Sequence, residues 1–388
     1  MQKAHPILFL TEGDAETWAS LSGCSRSALM AMRRAGRDVR TADVFAYGVA
    51  DWLAKASTFN WRRRRWVHRY HASPLSFHFN SVRARRLAAS HPTGAPILQM
   101  GATFDAGGRG TRPVYCLCDA NAAFAARGGS FSPVAHLTKR ELRALVERER
   151  RLYSKCVGIF TFTEGLRRSF IDDFGIRPER VVTTFAGPNL EFFPTEADLS
   201  TPKATYPTVL FIGKQFERKG GPTLVAAFRA VRAAIPDARL LVAGCRPEVA
   251  PVSGVELLGF VGRDDPGPHG LKALFLQSDL FCMPSRYEPF GMVFSEAMVH
   301  GLPCVGPRAY MSEIIDDGRT GWLVDADDPE QLAAVLIDAL RDRARLRRMG
   351  AAGRRKALEL FDWDRVARVI LDYMDRAEPQ VSNAPNGG

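Results

Sequence analysis

Short apolar runs alternate with segments of helical period along almost the whole chain, and this alternation constrains the fold more than any other feature. It argues an α/β architecture with parallel sheets, because a strand covered on both faces by crossover helices reads as an unbroken apolar run. In the first half the runs are PILFLTE (6–12), APILQMGA (95–102), RPVYCLCDA (112–120), VGIFTFT (157–163) and ERVVTTFAGPN (179–189). A helix is predicted from Ser22–Ser25 through ALMAMRRAGRDV, with Gly36 as its stop. A long polar helix, LTKRELRALVERERRLYSKC (137–156), precedes the run at 157.

Residues 191–207 are rich in Pro and Thr and show no periodicity, so they read as a linker. A second alternation follows, from PTVLFIG (207–213) through RLLVAG (239–244), VELLGFVG (255–262), LFCMPS (280–285) and PCVGP (303–307) to GWLVDADD (321–328). Helical patterns lie between these runs and after them, ending with PEQLAAVLIDALRDR (329–343). The expected organisation is a domain over 1–190, the linker, a second domain over 208–360, an amphipathic helix over 361–377 and a disordered tail over 378–388. The chain of 388 residues is long enough for two such domains. In open α/β sheets ligands bind at the carboxyl ends of strands, so the loops after those ends are the ones to read for chemistry.

No apolar run approaches the ~20 residues of a membrane span, and the first residues read as a strand, not a leader peptide. Seven scattered cysteines, most in apolar surroundings, suggest reduced core thiols and a cytoplasmic protein. Cys116 and Cys118 form a C-x-C that lacks the matching His or Cys pair of a metal site. Charge is uneven: residues 1–190 carry 29 Lys and Arg against 15 Asp and Glu, a net +14, while the remainder is −3. This points either to an anionic partner or to an Arg-rich composition with guanidiniums on solvated faces. The segment TFNWRRRRWVHRYH (58–71) interleaves aromatics with cations, and at helical spacing Phe59, Trp66 and Tyr70 share a face. A membrane-surface helix, a nucleic-acid contact and a plain surface segment beside an acceptor site all fit that pattern.

The densest chemistry lies in CMPSRYEPFGMVFSEAMVHGLPCVG (282–306). Glu288 falls in a loop after a strand, and Glu296 falls about a turn and a half into the helix that follows. A helix start favours an anion through its unpaired N–H groups, and flanking carboxylates accept hydrogen bonds from hydroxyls. Phosphate and sugar together, as in a nucleotide-sugar, suit that arrangement. The loop FIGKQFERKGG supplies two cations, Lys214 and Lys219, beside Gly220 and Gly221; these suit a diphosphate whose charge grows as a bond to it breaks. The plainer alternatives are exposed helix-start carboxylates, a solvated loop lysine and a core Phe260.

With these motifs in view, the second half resembles glycosyltransferase family 4, retaining enzymes of the GT-B fold. The resemblance rests on G-K-x₄-K-G, L-L-V-A-G, G-F-V, C-M-P-S, E-P-F-G-x₄-E-A-M, G-L-P-C-V and D-G-R-T-G-W-L-V, about 150 residues in the family's order. It implies two Rossmann-like domains with parallel sheets facing a central cleft. It implies a hexosyltransferase that moves a sugar from a nucleoside diphosphate-sugar to a hydroxyl of a sugar, lipid-linked sugar or small molecule. No cofactor and no metal are expected. By the same resemblance Lys214, standing where the family usually has Arg, and Lys219 contact the diphosphate, and Glu288 holds sugar hydroxyls. Gly213, Ser285, Phe290, Gly291, Met292 and Val293 line the donor; Glu296 meets the ribose, and Phe260 lies where the base sits.

The first half resembles the family less closely. Gly23 matches a glycine of close approach, which the resemblance makes a donor-binding residue. Asp119 stands where members often carry a His, either to contact sugar or acceptor hydroxyl or as a loop cap. The final helix is expected to cross back to the first domain. Two other readings compete: a sugar-nucleotide epimerase on the same fold, and a nucleic-acid- or membrane-binding protein using the basic half. No nucleic-acid partner is expected, since no zinc finger or RNP-like strand appears. Peripheral contact with the inner membrane face through 58–71 remains open.

Overall fold

The structure, a computed structural model, describes residues 5–18, 23–60, 65–66, 72–92, 94–107, 112–191, 193–200, 203, 205–262, 267 and 270–382. The chain divides into two compact units, Met1–Ala186 with Trp363–Gly388, and Gly187–Asp362.

The first unit contains β1 (Ile7–Thr11), α1 (Cys24–Arg34), β2 (Val39–Asp43), α2 (Val49–Ala56), β3 (Phe59–Asn60), β4 (Arg65–Trp66), α3 (Pro74–Ala89), β5 (Ile97–Met100) and β6 (Val114–Cys118). It continues with α4 (Ala122–Ala126), α5 (Lys139–Tyr153), β7 (Gly158–Thr161), α6 (Glu164–Asp172) and β8 (Val181–Thr183). Six strands form one parallel sheet in the order β2-β1-β5-β6-β7-β8. Every residue of β1, β5, β6 and β7 is buried, as two-sided covering requires. The predicted stop of α1 is realised: Ala35 ends the helix and Gly36 takes φ 83°, open to glycine at little cost.

The second unit contains α7 (Glu196–Leu199), β9 (Thr208–Ile212), α8 (Gly221–Ala234), β10 (Arg239–Ala243), β11 (Val255–Gly259), α9 (Leu271–Gln277) and β12 (Leu280–Cys282). After these come α10 (Met292–Val299), β13 (Cys304–Pro307), α11 (Arg308–Met311), β14 (Gly321–Val324), α12 (Pro329–Arg341) and α13 (Arg343–Leu360). Its six strands are parallel in the order β11-β10-β9-β12-β13-β14. The direction of winding reverses between β9 and β12, the switch point at which open sheets leave a crevice for ligands.

The last helix, α14 (Trp363–Ser382), belongs to the first unit. Trp363 meets Phe162 edge-on, the Tyr373 hydroxyl donates to the Val157 carbonyl at 3.1 Å, and Arg34 and Arg37 pair with Asp364 and Asp375. Gly158 lets this helix approach, since a Cβ there would lie 2.5 Å from the Tyr373 ring.

Three sequence expectations change. Phe59 and Trp66 do not share a helix: β3 and β4 pair antiparallel, with Phe59 in register with Trp66. Tyr70 and the rest of 67–71 lie outside the described residues, as do Trp61 to Arg64. The segment 191–207 is not featureless, because a capping box between Thr195 and Asp198 starts α7. The final helix begins at Trp363 and runs past Ala377 to Ser382, whereas Phe361 stays in the second unit against Phe290. β2 and α3, which have no clear apolar period, are elements that the sequence reading did not assign.

Candidate active site

Two loops flank the switch point of the second sheet. The loop after β9 turns tightly through hydrogen bonds from the Lys219 N–H to the Gln215 carbonyl and from the Gly221 N–H to the Phe216 carbonyl. It ends at Gly220, which takes φ 75° at the head of α8; a Cβ there would strike the Pro284 carbonyl oxygen at 2.0 Å. The glycine therefore serves close approach of this loop to the one after β12. That second loop ends at Gly291, also left-handed with φ 74°, where a Cβ would lie 2.7 Å from the Phe294 ring. No side chain caps the start of α10, and the first N–H groups of a helix have no partner within it.

The loops are tied by side chains. The Lys219 ammonium pairs directly with the Glu288 carboxylate, with side chains 14% and 7% exposed. Burial lowers the Lys219 pKa, and the Glu288 charge acts in the opposite direction. The Ser285 hydroxyl donates to the same Glu288 oxygen at 3.4 Å. Arg218 Nη1 donates to the Tyr287 carbonyl at 2.6 Å and lies 3.9 Å from the Glu288 carboxylate. The Arg286 N–H donates to the Arg218 carbonyl at 2.9 Å, and its Nη1 donates to the Glu217 carbonyl at 3.2 Å. From the third loop, after β14, Asp327 accepts from Arg286 Nε at 2.5 Å and from the Thr223 hydroxyl at 3.2 Å. Asp327 holds φ 62°, a left-handed conformation that is uncommon for any residue but glycine.

Lys219, Glu288, Ser285, Gly213 and Gly291 are thus brought together; a Cβ on Gly213 would lie 3.0 Å from the Lys219 chain. Lys214 is exposed and sits over the Phe260 ring at 5.6 Å. Phe260 is 71% exposed, so it is not a core residue. Glu288 and Glu296 are both buried, not solvated helix-start carboxylates. Glu296 accepts from the Asn189 N–H at 3.3 Å, and its carbonyl accepts from His300 Nδ1 at 2.7 Å. Phe290 turns its ring into the core, while Met292 and Val293 are half-buried at the start of α10. Gly23, with φ 93°, heads α1 after β1, and Asp119 is exposed at the end of β6; both are placed in the first unit.

Sequence reading missed Arg218, Arg286, Asp327 and His300. Arg218 falls at an unspecified position of G-K-x₄-K-G and Arg286 between C-M-P-S and E-P-F-G, so only their contacts reveal them. Burial pushes His300 down to about 4, and its ring stacks on Phe275 at 4.6 Å. The thiols of Cys116 and Cys118 lie 3.2 Å apart in the core. Among the described residues no three His, Cys, Asp or Glu side chains are grouped to hold a metal, and no helix is long and apolar enough to cross a membrane.

Residues 206–342 match the family model described as glycosyl transferases group 1. The GDP-mannose-dependent alpha-(1-6)-phosphatidylinositol monomannoside mannosyltransferase of Mycobacterium tuberculosis is 30% identical over 187 residues, 43% of this chain and 47% of its own. Alpha-maltose-1-phosphate synthase of Mycolicibacterium smegmatis is 34% identical over 184 residues, again 43% and 47%. The chain thus spans about half the length of the curated relatives it matches. Sucrose-phosphate synthase from Thermosynechococcus elongatus superposes with a TM-score of 0.71 at 19% identity, over 97% of this chain and 100% of that one. Anabaena HepE, solved with UDP and glucose, gives 0.64 at 18%, over 96% and 99%. The fold is GT-B, and none of these likenesses favours the epimerase or nucleic-acid readings.

Proposed function

We propose, from the match of residues 206–342 to the glycosyl transferases group 1 model, that this chain transfers a sugar from a nucleoside diphosphate-sugar to an acceptor hydroxyl, with retention and without a metal. One observation carries the reading: a buried Lys219–Glu288 pair stands at the switch point beside the uncapped start of α10. A diphosphate drawn there meets two cations and a helix start, and its sugar meets a carboxylate. The bond from the anomeric carbon to the phosphate oxygen breaks as charge builds on the diphosphate. Lys219, Lys214 and the N–H groups of α10 stabilise that charge. The acceptor oxygen bonds to the anomeric carbon from the same face, and its proton passes to the departing phosphate oxygen. Glu288 orients the sugar, Glu296 the ribose, and Phe260 packs on the base. Asp119 serves the sugar or acceptor hydroxyl.

Calorimetric titration with UDP, GDP, ADP and dTDP, with and without EDTA, tests the reading. Micromolar binding of one nucleotide, indifferent to EDTA, is the expected result. Lys219→Ala should abolish it, and Glu288→Gln should keep binding but cut transfer by two orders of magnitude or so. Melting curves check that both variants fold, since Lys219→Ala leaves Glu288 buried without its partner. Near-normal transfer by a folded Glu288→Gln protein would overturn the assignment. The anomeric configuration of the product, read by NMR, tests retention separately.

A further inference from the structure

We propose that α2 docks the first unit on an anionic bilayer surface, its outward face entering the boundary between headgroups and acyl chains. Val49, Trp52 and Leu53 stand at helical spacing on one face of α2. An ordinary surface helix turns such a stripe toward the core. Here the stripe points to water: Val49 is 75% exposed, Trp52 67% and Leu53 42%, while it is Ala54 that is buried. Tyr47 just before the helix and Leu75 at the start of α3 are also exposed, and α2 packs against α3. These five make up most of the large apolar side chains exposed among the described residues. All five belong to the first unit.

The charge of the same stretch identifies the occupant. Among the described side chains of residues 47–91, four cations, Lys55, Arg83, Arg85 and Arg86, stand against a single acid, Asp51, and the sequence adds five arginines at 62–65 and 69. Asp51 is already paired with Lys55 at 2.6 Å. Arg83, Arg85 and Arg86 on α3 are exposed, and the Arg83 guanidinium lies 5.9 Å from the Tyr47 ring. A second copy is a poor occupant, because a two-fold pairing would set this cationic stretch against itself. A free phosphate would use the cations and leave the apolar face bare. A bilayer with anionic headgroups satisfies both: apolar side chains enter it, Trp and Tyr rest at the interface, and the cations lie over the phosphates.

The test is co-sedimentation of the full chain with phosphatidylcholine vesicles, with and without phosphatidylglycerol. Binding is expected only with phosphatidylglycerol, weakening as salt rises from about 0.1 to about 0.5 M. The double substitution Trp52→Ser, Leu53→Ser should weaken it at least about tenfold, and Trp52→Phe, Leu53→Ile should retain it. Both pairs lie at exposed positions, so melting should be unchanged. No binding by the wild-type chain, or equal binding by the serine variant, overturns the proposal. A concentration-dependent dimer that the serine variant abolishes, without vesicle binding, assigns the face to a second copy and overturns it too.

Discussion

Glu149 is a carboxylate held away from water. Its oxygen accepts from the Ala122 N–H at 2.8 Å at the start of α4, and burial raises its pKa from 4.5 to about 7. The folded chain therefore keeps a proton that the unfolded chain releases. The stability tied to that proton is complete below about 4.5, declines as pH rises to about 7 and is lost above it, up to about 3 kcal/mol. Glu149→Gln keeps an oxygen for Ala122 and has nothing to ionise. Urea unfolding at pH 5 and pH 8 should show the wild-type chain losing stability and the Gln variant holding level; parallel curves would refute this. His300 has the opposite sense, since burial lowers it from 6.5 to about 4 and its contribution is lost as pH falls through that value. Neither shift is readable from spacing, because each depends on what packs around the side chain.

At the scale of elements, the loops after β9, β12 and β14 are joined through Arg286, Asp327 and Thr223. Asn tolerates the left-handed backbone of Asp327, so Asp327→Asn removes the charge and little else. That variant should weaken binding of the preferred nucleoside diphosphate about tenfold, because a charge-assisted hydrogen bond is worth roughly 1.5–3 kcal/mol, while melting moves only a few degrees. An unchanged dissociation constant would show that the loops hold their places without the bridge. Lys219 and Glu288 were legible in the sequence because a cation beside paired glycines and a carboxylate before a helix are local patterns. Arg286 and Asp327 were not, because they are 41 residues apart and each alone looks like a solvated loop charge. The hairpin at Phe59 and Trp66 was misread for a related reason: cross-strand pairing competes with helical spacing, and only the fold decides.

For the whole molecule, the decisive element is α14, which buries Val366, Ile370 and Met374 in a unit whose strands all end by Thr183. Ile370→Ala should cost about 2–5 kcal/mol. Hydrogen exchange should show that loss at the amides of β7, with those of the second sheet unmoved; uniform loosening of both sheets would contradict the division into units. The run of amphipathic residues after 361 announced a helix, but its spacing did not say which unit it would complete. This arrangement also orders events during synthesis. A ribosome synthesises all of the second unit before it adds Trp363, so α14 joins a first unit begun long before it. Until then the nascent chain presents the bare apolar seat of α14, and the time taken to translate residues 187–362 sets how long a chaperone must guard it.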